Sequence, residues 1–200
     1  MVRLRFGKNR RIARDLETER FELKSLGPIA CLRLTAPWRN DPDMLRALFQ
    51  SAEPLSLLAW IQRGPSPDNL ERFGWAIIPK GTATPIGLHT VRFGGYRSAN
   101  CMVGISDRAW WGHDVVIEVR ARLINHIFAN AEIDRFGGMT ASYNAASIFN
   151  YRRLGFAHVG TEHRVRRDPV DGKVFDLLAF EIFREQWQQG PFAETTDEHA

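Results

Sequence analysis

The 200-residue chain has only two cysteines, Cys31 and Cys101, in separate apolar contexts and without CxxC spacing. That excludes a disulfide framework or a Cys-based zinc motif and leaves reduced, buried thiols as the expectation. His113, His126, His158 and His163 show no ligand pairing at helical i,i+4 spacing, so no metal is expected, and no Ser/His/Asp nucleophile pattern is present. No stretch is an uninterrupted apolar run long enough to cross a bilayer. The basic residues Arg3, Arg5, Lys8, Arg10, Arg11 and Arg14 are not followed by the apolar core of a secretory signal, so a cytoplasmic protein without membrane attachment is expected. There is no internal repeat. Lysine and arginine exceed aspartate and glutamate by 27 to 23, a net charge of +4 that favours an anionic ligand only weakly.

What is present is enough apolar material, 44% of the residues, for one domain with a substantial core. Residues 1–15 read as a mobile basic arm, and nucleic-acid binding through it is expected less than simple solvation. The domain is expected over 16–189 and an acidic, disordered tail over 190–200. Leu16 to Leu23 alternates as a half-buried strand, and Ile29 to Leu34 reads as a short additional one after the Gly27-Pro28 break. Asp41 and Pro42 are suited to the N-cap and first turn of a helix, and Glu53 to Gln62 reads as another. Phe73–Ile78 and Ile86–Phe93 flank Pro79-Lys80-Gly81 as a hairpin, Asn100 to Ser106 continues the meander, and Ala157–Arg166 and Val174–Ile182 form a second hairpin. A short helix over Arg184–Gln188 closes the domain.

The most informative stretch runs from Trp111 to Phe156. Val116, Val119, Leu123 and Ile127 recur at helical steps, with Glu118 and Arg122 as an i,i+4 pair, and the helix is expected to end near Asn130. A strand from Ile133 to Tyr143 leads to a second helix opened by Asn144 and closed by Gly155. Along that helix Asn144, Ser147 and Tyr151 form one polar stripe, with Ile148 and Phe149 on an apolar side.

Residues 144–156, Asn-Ala-Ala-Ser-Ile-Phe-Asn-Tyr-Arg-Arg-Leu-Gly-Phe, resemble the N-x-x-S-x-x-x-Y-x-x-L-G-F signature of GNAT-superfamily N-acetyltransferases. Leu16-Glu17-Thr18-Glu19-Arg20-Phe21-Glu22-Leu23 and Trp110-Trp111-Gly112 are similar to the branch containing the RimJ/RimL-like ribosomal-protein acetyltransferases. The resemblance implies an α+β fold, a mostly antiparallel mixed sheet flanked by helices, with acetyl-CoA as donor and a primary amine as acceptor. The amine is a protein N-terminus, a small amine or an amino sugar, and a homodimer is left open.

Acetyl transfer needs an anion site, a polarised carbonyl, a proton sink and an acid for the thiolate. The resemblance assigns the acid to Tyr151 and the pantetheine contact to Asn144, with Ser147 beside it. Carbonyl polarisation falls to a backbone amide of Val103, Gly104 or Ile105. The pyrophosphate loop, Q/R-x-x-G-x-G/A in the superfamily, corresponds to Trp111, Gly112, His113, Asp114, Val115 and Val116. Asp114 and Val116 stand where glycine or alanine is usual, and the Asp114 carboxylate is placed to cap the helix and occupy the amides a phosphate uses. Gly112 and His113 amides, or charge offset from Arg108, Arg152 and Arg153, are the two ways around this. Met102 takes the position of the usual glutamate base, leaving His89 on the preceding strand as the substitute proton acceptor. Trp38 and Arg39, in a Trp-Arg-Asn run, flank the acceptor pocket in the resembled branch. The alternative is a GNAT-fold binding or assembly module without transferase activity, which Asp114, Val116 and Met102 together allow.

Overall fold

In the computed structural model, which describes residues 9–194, the chain enters along the core. Ile12 is fully buried, the Asn9 amide donates to the Asn69 carbonyl at 2.9 Å, and Trp75 Nε1 donates to the Arg14 carbonyl at 2.9 Å. The expected mobile arm of 1–15 is therefore corrected over 9–15, because burying the apolar pair Ile12-Ala13 outweighs solvating its basic neighbours. Residues 1–8 lie outside the described residues.

The expected strand from Leu16 is two: β1 (Leu16–Glu17) and β2 (Phe21–Ser25) pair antiparallel across a turn in which Thr18 Oγ1 accepts the Phe21 amide at 2.9 Å. Where a strand was expected from Ile29, the chain forms α1 (Pro28–Thr35). A six-residue apolar run does not reveal its period, and Pro28 in the first helical turn decides the outcome. α2 (Pro42–Ala47) starts as expected, with the Asp41 carboxylate accepting the Asp43 and Met44 amides at 3.0 and 3.3 Å. α3 (Leu57–Arg63) begins at Leu57 and not at Glu53, since Ser56 Oγ caps it through the Ala59 amide at 3.2 Å.

β3 (Arg72–Pro79), β4 (Gly87–Phe93) and β5 (Ser98–Ile105) form the meander, followed by α4 (Val115–Asn130), β6 (Arg135–Ala141) and α5 (Ala145–Arg153). β7 (Ala157–Arg167), β8 (Val174–Phe183) and α6 (Arg184–Gln188) complete the described chain. One eight-stranded sheet results, ordered β1-β2-β3-β4-β5-β6-β8-β7. Every neighbouring pair is antiparallel except β5 and β6.

Strand alternation assigns the two faces. On one, Cys31, Trp38, Met44, Leu45 and Trp60 from the α1–α3 region pack with Leu88 of β4. On the other, Val119, Leu123, Ile124 and Ile127 of α4 and Tyr151 of α5 pack with Trp75, Val91, Phe136 and Phe180 of the sheet. Burial pushes the Cys31 thiol up to about 11, as expected of an inert core cysteine.

The Glu118–Arg122 pair does not form. Glu118 instead accepts from Arg20 Nε at 2.6 Å and Arg122 Nε donates to the Glu17 carbonyl at 3.1 Å, tying α4 to the β1–β2 turn. Tertiary partners displace a helix pair worth only tenths of a kcal/mol, roughly 0.2–0.5. The expected free tail is also shorter: Phe192 and Ala193 pack on the core and the Phe192 carbonyl accepts from Asn125 Nδ2 at 2.9 Å, while residues 195–200 lie outside the described residues.

Candidate active site

The site begins where the sheet opens. β5 and β6 pair only through Ser98↔Arg135, Ala99↔Phe136 and Asn100↔Gly137, after which β5 pairs with β4 alone and β6 with β8 alone. The strands thus leave a wedge whose walls are Cys101–Ile105 and Gly138–Ala141. Backbone groups facing such a wedge have no strand partner, the condition for a ligand that runs along a strand edge.

Three side chains meet at the closed end. Tyr151, 2% exposed, lies with its ring stacked on Phe180 at 4.9 Å and its hydroxyl against Gly138, where a β-carbon would stand 2.0 Å from the oxygen. Glycine at 138 is what admits the tyrosine hydroxyl to the wedge. Cys101 reaches the Gly137 carbonyl with its Sγ at 3.9 Å. Arg120 of α4 places its guanidinium carbon 4.6 Å from the Tyr151 ring centre, on the helix stripe that includes Ile117, Ile124 and Ile127. Burial pushes the Tyr151 phenol well above its ordinary range, and the Arg120 charge pulls it back only in part.

Asn144 and Ser147, both half-buried, follow Tyr151 on the inner side of α5. The Asn144 side-chain oxygen accepts the Ser147 amide at 3.0 Å, so its capping role is filled, while its amide nitrogen is not part of that bond. Ile148 packs on the core as the stripe implies, whereas Phe149 is exposed, with Arg153 over its ring.

The turn into α4 answers the concern raised by Asp114. Gly112 and Asp114 both have left-handed backbone, φ 79° and 57°, and Asp114 makes no side-chain hydrogen bond to the first-turn amides. Its carboxylate is held instead by Arg153 Nη1 at 2.6 Å. The expected self-capping does not occur, because the left-handed residue turns its side chain out of the helix axis and toward α5. Val115 is buried beneath the turn and Val116 half-buried, while Trp111 and His113 are exposed. Trp111 Nε1 donates to the Ile105 carbonyl at 3.0 Å and the His113 carbonyl accepts from Arg20 at 2.9 Å, which fixes the turn against β5. Val103 and Ile105 are half-buried on the α4 face and Gly104 is buried on the other.

His89 lies on the α4 face of the sheet. It pairs across the strands with Trp75 and Val103, is fully buried beneath α4, and neither ring nitrogen has a hydrogen-bond partner. Burial, then the Arg120 charge, hold its pKa well below the ordinary histidine value. A neutral imidazole sealed on this face does not receive an ammonium proton, which corrects its expected role as base. The cause is strand parity: Leu88, one residue earlier, faces the α1–α3 side.

Trp38 lies on that opposite side, 3% exposed, with its ring over Gly104 of β5. Arg39 Nη1 is committed to the Leu55 carbonyl at 2.8 Å. A cleft of about 520 Å³ is lined by Arg46 of α2, Ser142 and Tyr143 after β6, and Asp168, Asp171, Lys173 and Asp176 of the β7–β8 hairpin. Asp168 is 2% exposed and pairs with Arg46 Nε at 2.6 Å. Burial raises the Asp168 pKa, but the Val170 amide and Arg46 outweigh it and hold the carboxyl below its usual range.

The wedge, the left-handed turn and the two-sided helix layers together specify a known architecture, and residues 28–157 match the family described as the acetyltransferase (GNAT) domain. The chain belongs to the GNAT acetyltransferase family. Solved GNAT structures superpose along most of the chain. A spermidine N-acetyltransferase from Vibrio cholerae, in complex with CoA and spermine, has a TM-score of 0.70 at 15% identity, covering 84% of this chain and 98% of that one. Mycobacterium smegmatis RimJ in complex with CoA-disulfide gives 0.63 at 16%, covering 88% and 90%. A ribosomal-protein-S5-alanine acetyltransferase from Vibrio fischeri gives 0.65 at 15%, covering 86% and 98%. At these identities the likeness establishes the GNAT fold alone. No curated protein matches the sequence.

Within this GNAT site, two features escaped the sequence reading. Arg120 was detectable, since it interrupts the apolar stripe of α4 between Ile117 and Ile124. The Arg46–Asp168 cleft was not, because these two residues are joined only by tertiary packing. Among the described residues no three His, Cys, Asp or Glu side chains converge as a metal site, and no helix is long and apolar enough to cross a membrane.

Proposed function

We propose that the protein is an N-acetyltransferase that moves an acetyl group from acetyl-CoA to a primary amine by direct attack. The observation that carries this is the Arg153–Asp114 ion pair, which engages the carboxylate while it makes no hydrogen bond to the first-turn amides of α4. The first-turn amides and macrodipole of α4 are thereby left to the cofactor pyrophosphate despite the altered loop sequence. In this reading the pantetheine arm enters the wedge past Asn144 and Ser147, and the thioester carbonyl meets a backbone amide of Val103, Gly104 or Ile105. Tyr151 supplies the hydroxyl at the cofactor sulfur. The acceptor approaches from the Trp38 side, where Asp168, Asp171 and Asp176 outnumber Arg46 and Lys173 around the cleft, a charge balance that supports a cationic amine. A small amine and a protein N-terminus both meet that requirement.

Calorimetric titration of the protein with acetyl-CoA at low and moderate salt tests the reading. Saturable binding that weakens with salt is expected, and Tyr151→Phe should then lower turnover of an amine panel about tenfold to a hundredfold while leaving cofactor affinity nearly unchanged. A folded protein that does not bind acetyl-CoA sinks the proposal. Binding without turnover of any amine favours the non-catalytic module.

A further inference from the structure

Arg120 is a buried charge whose hydrogen bonding is incomplete. Its side chain is 2% exposed, and Nε and Nη1 have no hydrogen-bond partner. A guanidinium is always charged, and burying one unpaired is strongly unfavourable. An apolar residue in line with Ile117 and Ile124 would complete the stripe without that cost. The same helix shows how an arginine serves structure here: Arg184 donates to the carbonyls of Phe128, Ala131 and Ile133 and so satisfies the C-terminal end of α4. Arg120 makes no such contacts. It faces the Tyr151 ring, with Cys101 and His89 as the other titratable groups packed about it, at the point where β5 and β6 part.

We infer that Arg120 is a catalytic cation of the thioester site, its guanidinium receiving the negative charge that gathers on the cofactor sulfur as the acyl–sulfur bond breaks. The inference rests on the reading that a CoA thioester occupies the wedge. The amine lone pair adds to the carbonyl carbon, the carbon–sulfur bond breaks, and its electron pair goes to sulfur. The thiolate then faces Arg120 until the proton released by the attacking nitrogen reaches it. A charge at this place answers a difficulty in the site, for a phenol pushed up by burial is a weak acid toward a thiolate. Tyr151 holds the sulfur and Arg120 neutralises it. A guanidinium already desolvated and held against Tyr151 before the cofactor enters is the preorganisation that such stabilisation requires.

The test is ultraviolet titration of the thiolate of CoA bound to the full protein, compared with free CoA. The bound thiol is expected to titrate about one to two units below the free one. Arg120→Met, which keeps the bulk and loses the charge, should return it to the free value. Arg120→Lys should restore part of the shift. Turnover of Arg120→Met should fall about a hundredfold with acetyl-CoA affinity little changed, since the thioester is neutral. Its unfolding temperature should be equal to or above that of the parent, which a structural arginine does not predict. A bound thiol that titrates like free CoA, or an equal shift in Arg120→Met, overturns the inference while leaving the wedge reading intact. Failure of CoA to bind at all removes the wedge reading and this inference with it. If Arg120→Met does not fold, a structural role is indicated and the inference falls unless Arg120→Lys folds and retains the shifted thiol.

Discussion

A buried imidazole whose two nitrogens lack partners must be neutral to remain where it is, and this gives His89 a measurable signature. In the unfolded chain it protonates below about pH 6.5, whereas in the fold its pKa is held well below that value. The unfolded state therefore binds more protons as pH falls under 6.5, and stability drops with decreasing pH through that window until the folded pKa is passed. His89→Leu should remove this contribution, leaving a flatter dependence of unfolding free energy between about pH 6.5 and 4, read by urea denaturation at several pH values. An unchanged slope would show that His89 is protonated or hydrogen-bonded to water in the fold. At this scale the sequence disclosed residue types better than residue faces. Tyr151, Asn144 and Ser147 lie along the inner side of α5 as their spacing implied. His89 was read as the proton acceptor from its chemistry, whereas one residue of strand parity determines where it points.

At the scale of elements, the turn into α4 shows one departure from a sequence pattern, Asp114, compensated by a neighbouring helix. Asp114 occupies a left-handed position that glycine takes at less cost, and its charge is matched by Arg153 from the end of α5. Breaking this pair alone should expose the carboxylate at the helix N-terminus. Arg153→Ala is expected to weaken acetyl-CoA binding about threefold to tenfold, more at low salt than at moderate salt. In an Asp114→Gly background the same change should cost much less, because the carboxylate it offsets is gone. Equal losses in both backgrounds, measured by calorimetry, would mean that Arg153 meets the cofactor directly and not through Asp114. Elements with caps and a clear period were legible: α2 from Asp41-Pro42, α5 from Asn144 to Gly155, and the β7–β8 hairpin from its Asp-Pro and Asp-Gly turn. α1 was misread as a strand, since Ile29-Ala30-Cys31-Leu32-Arg33-Leu34 is too short to show a period and its helical state comes from Pro28 and from packing on Leu88. The Glu118–Arg122 pair failed for a related reason, as the turn at Arg20 offered each side chain a tertiary partner.

For the molecule as a whole, the resemblance implied a mostly antiparallel mixed sheet, but not its order or the wedge, because nothing in local sequence states that β5 and β6 pair for three residues and then separate. The same holds for the entry of the chain, where a run of basic residues obscured two apolar ones. Ile12 is fully buried in the core shared by α4 and the sheet, and its carbonyl contacts His126 Nε2 at 3.0 Å. Arg10 and Arg11, adjacent in the turn just before Ile12, are exposed. Charge and burial therefore make opposite predictions for neighbouring residues. Ile12→Ala should destabilise by about 3 kcal/mol, the usual cost of emptying a buried isoleucine site, lowering the urea midpoint with little change in slope. Arg10→Ala and Arg11→Ala should each change stability by less than about 0.5 kcal/mol. If Ile12→Ala were as mild as the arginine changes, residues 9–15 would not be part of the cooperative unit. A core that includes Ile12 also anchors the chain beneath the helix carrying Arg120, so Ile12→Ala should lower stability without altering the titration of bound CoA, separating the support of the site from its chemistry.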